Sequence, residues 1–310
     1  MTCQKMMLTS FAKNLLNLCK RVYFKTVTYR LETLPAGVQS ICTEFGLSPR
    51  TVKCSLCSFG GQHIVYIVRI QSAEFLCLKV ARKESIHLER EAKYLSLLQG
   101  SPHFPRLVID GSKKGFVVEE QVSGIPYSSH TKSLFRKNLK KVAQGLAQAL
   151  TDLTSRHPAI VHRDIKMKHL LFDFINGRVV LIDFGSAEFE GSRLPNGRRS
   201  FYRKLGRRTH VFQPFEQLTE QHSQDRRIDV FAAASLLYSM ILDEFPYDNS
   251  VKGFEQSWEY YQSRERRIES RLSILPPKVA RAFINALKAD PNERSRDLWE
   301  LANAIRETDF

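Results

Sequence analysis

Two early runs, residues 64–70 and 73–80, are dense in apolar and β-branched side chains and predict neighbouring strands. Lys79 interrupts the second run, between Leu78 and Val80. A lysine on a buried strand needs an anion beside it, because an unpaired buried charge is costly. The next segment, 84–98, has helical spacing; Glu91, Leu95 and Leu98 share its apolar face, and Glu89 points elsewhere. Glu91 is therefore the expected partner of Lys79. Residues 116–124 begin as another strand. Residues 169–182 read as two short strands joined by a turn at Asn176-Gly177. Residues 229–242 are almost wholly apolar, the pattern of a buried central helix, with Asp229 at the positive end of its dipole. An amphipathic helix is expected over 279–288. Near the start, over residues 5–25, Leu8, Phe11, Leu15, Leu18 and Val22 follow helical spacing, with Lys13, Lys20 and Arg21 opposite. That pattern suits a helix docked on the protein body or one lying on an anionic membrane surface. No apolar run reaches the roughly 18 residues of a membrane span.

The chain has 310 residues, 43% of them hydrophobic, which suits one domain of roughly 250 residues plus an extension. Its net charge is +15, and much of the excess is local: residues 192–210 hold seven Arg or Lys and no acid. Such a stretch orders only when an anion neutralises it. Phosphate on Ser200 or Tyr202, an acidic substrate or an anionic membrane would serve; otherwise it is a solvated loop. No aromatic-plus-basic motif points to nucleic acid, so none is expected as a partner. The six cysteines all precede residue 78. Cys54-x-x-Cys57 has no second pair or histidine cluster, which argues against zinc. Without a secretory signal, free thiols and a cytoplasmic setting are expected, peripheral at a membrane if the first helix binds one.

The chemistry concentrates in residues 162–185. His162-Arg163-Asp164-Ile165-Lys166 is followed, nineteen residues after Asp164, by Asp183-Phe184-Gly185. Phosphoryl transfer calls for a carboxylate that accepts a hydroxyl proton, a cation near the moving group and a second carboxylate that holds a divalent metal. Both carboxylates flank the predicted hairpin and can point to one place. These motifs resemble the catalytic and metal-binding loops of the eukaryotic-type protein kinase family. Phe212-Gln-Pro-Phe-Glu216 resembles the segment that closes the family's activation loop. Asp290-Pro-Asn-Glu-Arg294 resembles the turn whose arginine pairs with that glutamate. Residues 58–65 resemble the glycine-rich loop, with Gly60 in register, Gly61 beside it, His63 in place of a glycine and Val65 at its end.

The resemblance implies an α+β, two-lobed protein kinase-like fold. It implies an extension over 1–48, a small β-rich lobe over about 49–122 and a mainly helical lobe over about 123–310. ATP and Mg²⁺ are the implied cofactors. Lys79, set by Glu91, would grip the α- and β-phosphates; Gly60, Gly61 and Val65 would cover the nucleotide. Glu120 would sit at the adenine hinge, with Glu119 behind adenine. Asp164 would take the hydroxyl proton, Lys166 would offset charge and Asp183 would hold the metal. In the family Asp229 also anchors the catalytic loop. Thr209, seven residues before Glu216, together with Lys166 implies a Ser/Thr protein substrate. The main departure is His169, where the family has a metal-binding Asn. Imidazole is a poorer Mg²⁺ ligand than an amide oxygen. That leaves three readings: one firmly held metal, Mn²⁺ in place of Mg²⁺, or an anionic saccharide or lipid-linked sugar as substrate. The last follows lipopolysaccharide-core kinases, which also carry His at this place. The eroded glycine loop keeps an ATP-binding pseudokinase scaffold in view.

Overall fold

In the computed structural model, the runs at 64–70, 73–80 and 116–124 become strands of one antiparallel sheet, which also takes in strands over 54–59 and 107–111 that were not expected. Described are residues 28–29, 36–44, 54–59, 63–69, 75–82, 86–128, 130–174, 176–192, 212–219, 225–246 and 258–309. The expectations for residues 5–25, for Gly60 and Gly61, and for the basic stretch with Ser200, Tyr202 and Thr209 fall outside these residues.

The chain divides into two compact units. The first holds the sheet, in the order β1 (Thr28–Tyr29), β2 (Cys54–Phe59), β3 (His63–Arg69), β4 (Phe75–Ala81), β6 (Phe116–Glu120), β5 (Leu107–Gly111). His63 is thus the first residue of a strand, paired with Ala81. Successive side chains on a strand face opposite ways, and the two faces meet different helices. Tyr66, Val68, Leu76, Leu78, Phe116 and Val118 pack with Val38 and Cys42 of α1 (Ala36–Glu44). Val117, from the other set, packs with Leu88 and Ala92 of α2 (Ile86–Leu97). Two pieces of the segment before residue 48, β1 and α1, are therefore built into this unit.

The second unit is mainly helical. The chain enters it through β7 (Ile125–Pro126), then α3 (Lys132–Lys137) and α4 (Leu139–Thr154). On α4, Leu139, Val142, Ala143, Leu146, Leu150 and Leu153 are buried, at the spacing of one helical face. After β8 (Ile160–Val161) come β9 (Leu170–Asp173) and β10 (Arg178–Leu181), an antiparallel pair, then β11 (Glu188–Phe189) paired with β8. The hairpin turn is longer than the predicted two residues. The ladder closes at Asp173–Arg178, and Gly177 N–H donates to Asp173 O at 2.7 Å with φ at +67°. Past α5 (Phe215–Thr219), α6 (Arg227–Leu242) is buried on nearly all sides, as its uniform apolarity predicts. Helices α7 (Trp258–Leu272), α8 (Pro277–Ala286) and α9 (Trp299–Arg306) complete the unit. No helix among the described residues is long and apolar enough to cross a membrane.

Candidate active site

Residues 162–169 join β8 to β9, and side chains from elsewhere fix this loop by its peptide groups. Asp229, in the first turn of α6, accepts the N–H of His162 at 2.6 Å and of Arg163 at 2.8 Å, one with each oxygen. Gln217 of α5 donates to Arg163 O at 2.6 Å. Burial lifts the Asp229 carboxyl to about 7 even though the two amides favour its ionised form. The His162 ring lies inside the loop. Its Nδ1 accepts the Asp164 N–H at 3.3 Å, and its Nε2 donates to Ile182 O at 3.2 Å. Only a neutral imidazole can do both. Burial, reinforced by His169, lowers its pKa to about 3.

Phe184 is wholly buried against His162, with ring centroids 4.6 Å apart, and edge-on to Phe104 at 5.4 Å. That burial anchors the residue beside Asp183. Arg163 and Asp183 both adopt left-handed backbone, with φ of +66° and +71°. For residues with a Cβ this conformation is unfavourable and persists only where surroundings impose it, as at functional sites.

The outcome is a dense polar cluster. Lys166 Nζ donates to both oxygens of Asp164, at 2.9 and 2.7 Å. His169 ends a short 3₁₀ turn, Met167–His169, and does not begin a strand. Its Nδ1 is 2.9 Å from Asp164 O and its Nε2 is 3.1 Å from Asp183 Oδ2. One ligand atom each of Asp164, His169 and Asp183 can be chosen so that all lie within 4.8 Å of one another. Two carboxylates and an imidazole fit a divalent cation. Nδ1 faces a peptide oxygen and so carries hydrogen, which leaves Nε2 as the ring atom that would meet a cation held with Asp183.

In the first unit, Lys79 stands opposite Val65 on β3 and Val117 on β6. Its Nζ is 2.5 Å from Glu91 Oε1, the partner expected from helical phase. It is also 2.7 Å from Glu119 Oε1. Helical phase and apolar spacing give no direction for the Glu119 side chain, so this second carboxylate was not expected. Register holds the missing signal: Glu119 pairs with Cys77, two residues from Lys79 and on the same face. Glu120, the expected hinge residue, pairs with Leu76, and its Oε2 accepts the Arg106 N–H at 3.3 Å. Farther along the second unit, Arg294 reaches Glu216 with Nη1 at 2.5 Å and Nη2 at 3.3 Å, both side chains buried. Gln217 was missed by sequence reasoning, and nothing in its neighbourhood marks it beyond adjacency to Glu216.

Comparison with known proteins bears on this arrangement. The family model described as protein kinase domain matches residues 59–305. Serine/threonine-protein kinase pkpA of Phycomyces blakesleeanus is 27% identical over 199 residues, 60% of this chain and 30% of that protein. Sperm motility kinase 3A of Mus musculus is 26% identical over 200 residues, 64% of this chain and 36% of that protein. The chain spans between about a tenth and a third of the length of the first curated relatives it matches. The solved Cydia pomonella Granulovirus kinase PK-1 has a TM-score of 0.62 at 18% identity, covering 85% of this chain and 96% of that one. That likeness speaks for the fold.

Proposed function

Because the chain belongs to the protein kinase domain family, we propose that it transfers the γ-phosphoryl group of ATP to a serine or threonine hydroxyl of a protein. The observation that carries this reading is the Asp164–Lys166–His169–Asp183 cluster, held by its backbone to Asp229 and Gln217. Asp164 accepts the proton of the attacking hydroxyl. Lys166, already on both Asp164 oxygens, keeps that carboxylate oriented and offsets charge on the moving group. Asp183 and His169 are the side chains that would hold a divalent cation, which when bound neutralises phosphate charge. The imidazole in that pair favours Mn²⁺ alongside Mg²⁺. Lys79, set by Glu91, holds phosphates; Val65, Gly60 and Gly61 cover the nucleotide, and Glu120 offers a peptide carbonyl to its base. Thr209 joins Lys166 as the marker for Ser/Thr over Tyr. The same reading places the chain in a reducing, cytoplasmic setting.

The test is intact-mass spectrometry after incubation with Mg-ATP or Mn-ATP. Wild type gains phosphate; Asp164→Ala and Asp183→Ala stay folded and lose transfer by at least about a thousandfold. Wild-type turnover in either variant sinks the assignment. A second reading, phosphorylation of a saccharide hydroxyl, rests on His169 beside Asp183. It predicts no mass gain, with ATP consumption only when a saccharide is supplied.

A further inference from the structure

Lys79 is shared between two carboxylates. Glu91 Oε1 lies 2.5 Å and Glu119 Oε1 2.7 Å from its Nζ, and the side chains of Lys79, Glu91 and Glu119 are 5%, 1% and 4% exposed. The sheet dictates this meeting. Lys79 pairs with Val117 and Cys77 with Glu119, so Glu119 sits diagonally across from Lys79 on one face. Long side chains bridge that diagonal. Helix α2 supplies Glu91 to the same face, where Leu88 and Ala92 pack on Val117. An ammonium has three donors, and carboxylates engage two of them here. With one cation and two anions, the formal charge of the trio is −1.

We infer that Glu119 is a positioning residue that acts through Lys79: it restrains the ammonium and weakens the site's hold on polyphosphate. The inference rests on the reading of Lys79 as a phosphate-binding residue. Phosphate oxygens arriving at Lys79 compete with Glu119 for the same donors and meet its negative charge in a poorly solvated place. Like charges several ångströms apart at an effective dielectric of about 20 shift an affinity by about tenfold or more. A neutral side chain of the same shape removes the repulsion and weakens the competition, because an amide oxygen accepts less strongly than a carboxylate. The base and ribose carry no charge, so the effect scales with the number of phosphates. Glu119 thereby sets how strongly the site prefers a triphosphate over a nucleoside.

Isothermal titration of the full-length chain tests this, with metal-bound ATP, metal-bound ADP and adenosine as probes, on wild type and Glu119→Gln. The expected result is ATP binding about tenfold tighter in Glu119→Gln, a smaller gain for ADP and adenosine within about twofold of wild type. Circular dichroism checks the fold, and Glu119→Thr replaces Glu119→Gln should the latter not fold. Unchanged or weaker ATP binding in the variant, beside measurable wild-type binding, overturns the inference and leaves the kinase reading standing. An equal gain for adenosine also overturns it, because the effect then lies at the base. Failure of wild type and both variants to bind ATP removes the nucleotide reading of Lys79 and the inference with it.

Discussion

His162 and Asp229 are buried one hydrogen bond apart, yet burial pushes their protonation in opposite directions. The His162 pKa falls from 6.5 to about 3, so the unfolded chain takes up a proton below 6.5 that the folded chain refuses. Its contribution to stability is present above pH 6.5 and is lost as pH falls towards 3. The Asp229 pKa rises from 3.8 to about 7, so the folded chain keeps a proton that the unfolded one releases. That contribution is present below pH 3.8 and is lost as pH rises through 7. Across the overlap the slopes oppose each other. Denaturant unfolding over about pH 4.5–6.5 should show the advantage of wild type over His162→Gln shrinking as pH falls. Its advantage over Asp229→Asn should shrink as pH rises. Differences of the same sign would contradict this account. At this scale the sequence was legible where a residue type has a single role, as with a lysine on an apolar strand or an acid at a helix start. It was silent on Glu119 and Gln217, whose roles follow from strand register and from a partner far along the chain.

The hairpin β9–β10 lies between the loop that bears Asp164 and the residue Asp183, so its seating governs their alignment. It is seated on α4 at Gly145. A Cβ there would come within 2.7 Å of Val179 Cγ2. Alanine in place of glycine inside a helix ordinarily gains about 1 kcal/mol. Here the clash is with a side chain anchored on a buried strand, and overpacking of this kind costs about 1–3 kcal/mol. Gly145→Ala should therefore lower the melting temperature and activity together, read by thermal unfolding and phosphate incorporation; a stabilised variant would refute the packing argument. Strands and helices were the most readable level, because periods of 2 and 3.6 survive in one sequence. The hairpin turn was misjudged by two residues. Asn-Gly signals a tight turn, but pairing of Arg178 with Asp173, whose side chains also meet at 3.5 Å, stops the ladder early.

At the scale of the molecule, order along the chain made the α+β class legible: strands and one helix first, then helices around an apolar hairpin. Long-range ties complete it. Arg294 and Glu216 are 78 residues apart, and Arg294 also donates to the carbonyls of Lys288, Ala289 and Arg227 and stacks over Phe231. Such a buried pair adds little net stability, because desolvation offsets attraction, but it fixes which segments meet. Least legible was the segment ahead of residue 48, whose charge pattern gives no sign of the buried side chains Val38 and Cys42. Val38 and Cys42 are 2% and 0% exposed on the sheet. The family model begins at residue 59, so likeness and packing disagree about where the small unit starts. A shortened chain beginning at residue 49 bares the side of the sheet formed by Tyr66, Val68, Leu76 and Leu78. Losing a few buried apolar side chains removes about 3–6 kcal/mol, much of a typical domain's margin. Such a chain should melt earlier than the full-length one and aggregate, and light scattering during a thermal ramp would show it. For anyone producing this protein, the first residue chosen decides whether it stays in solution.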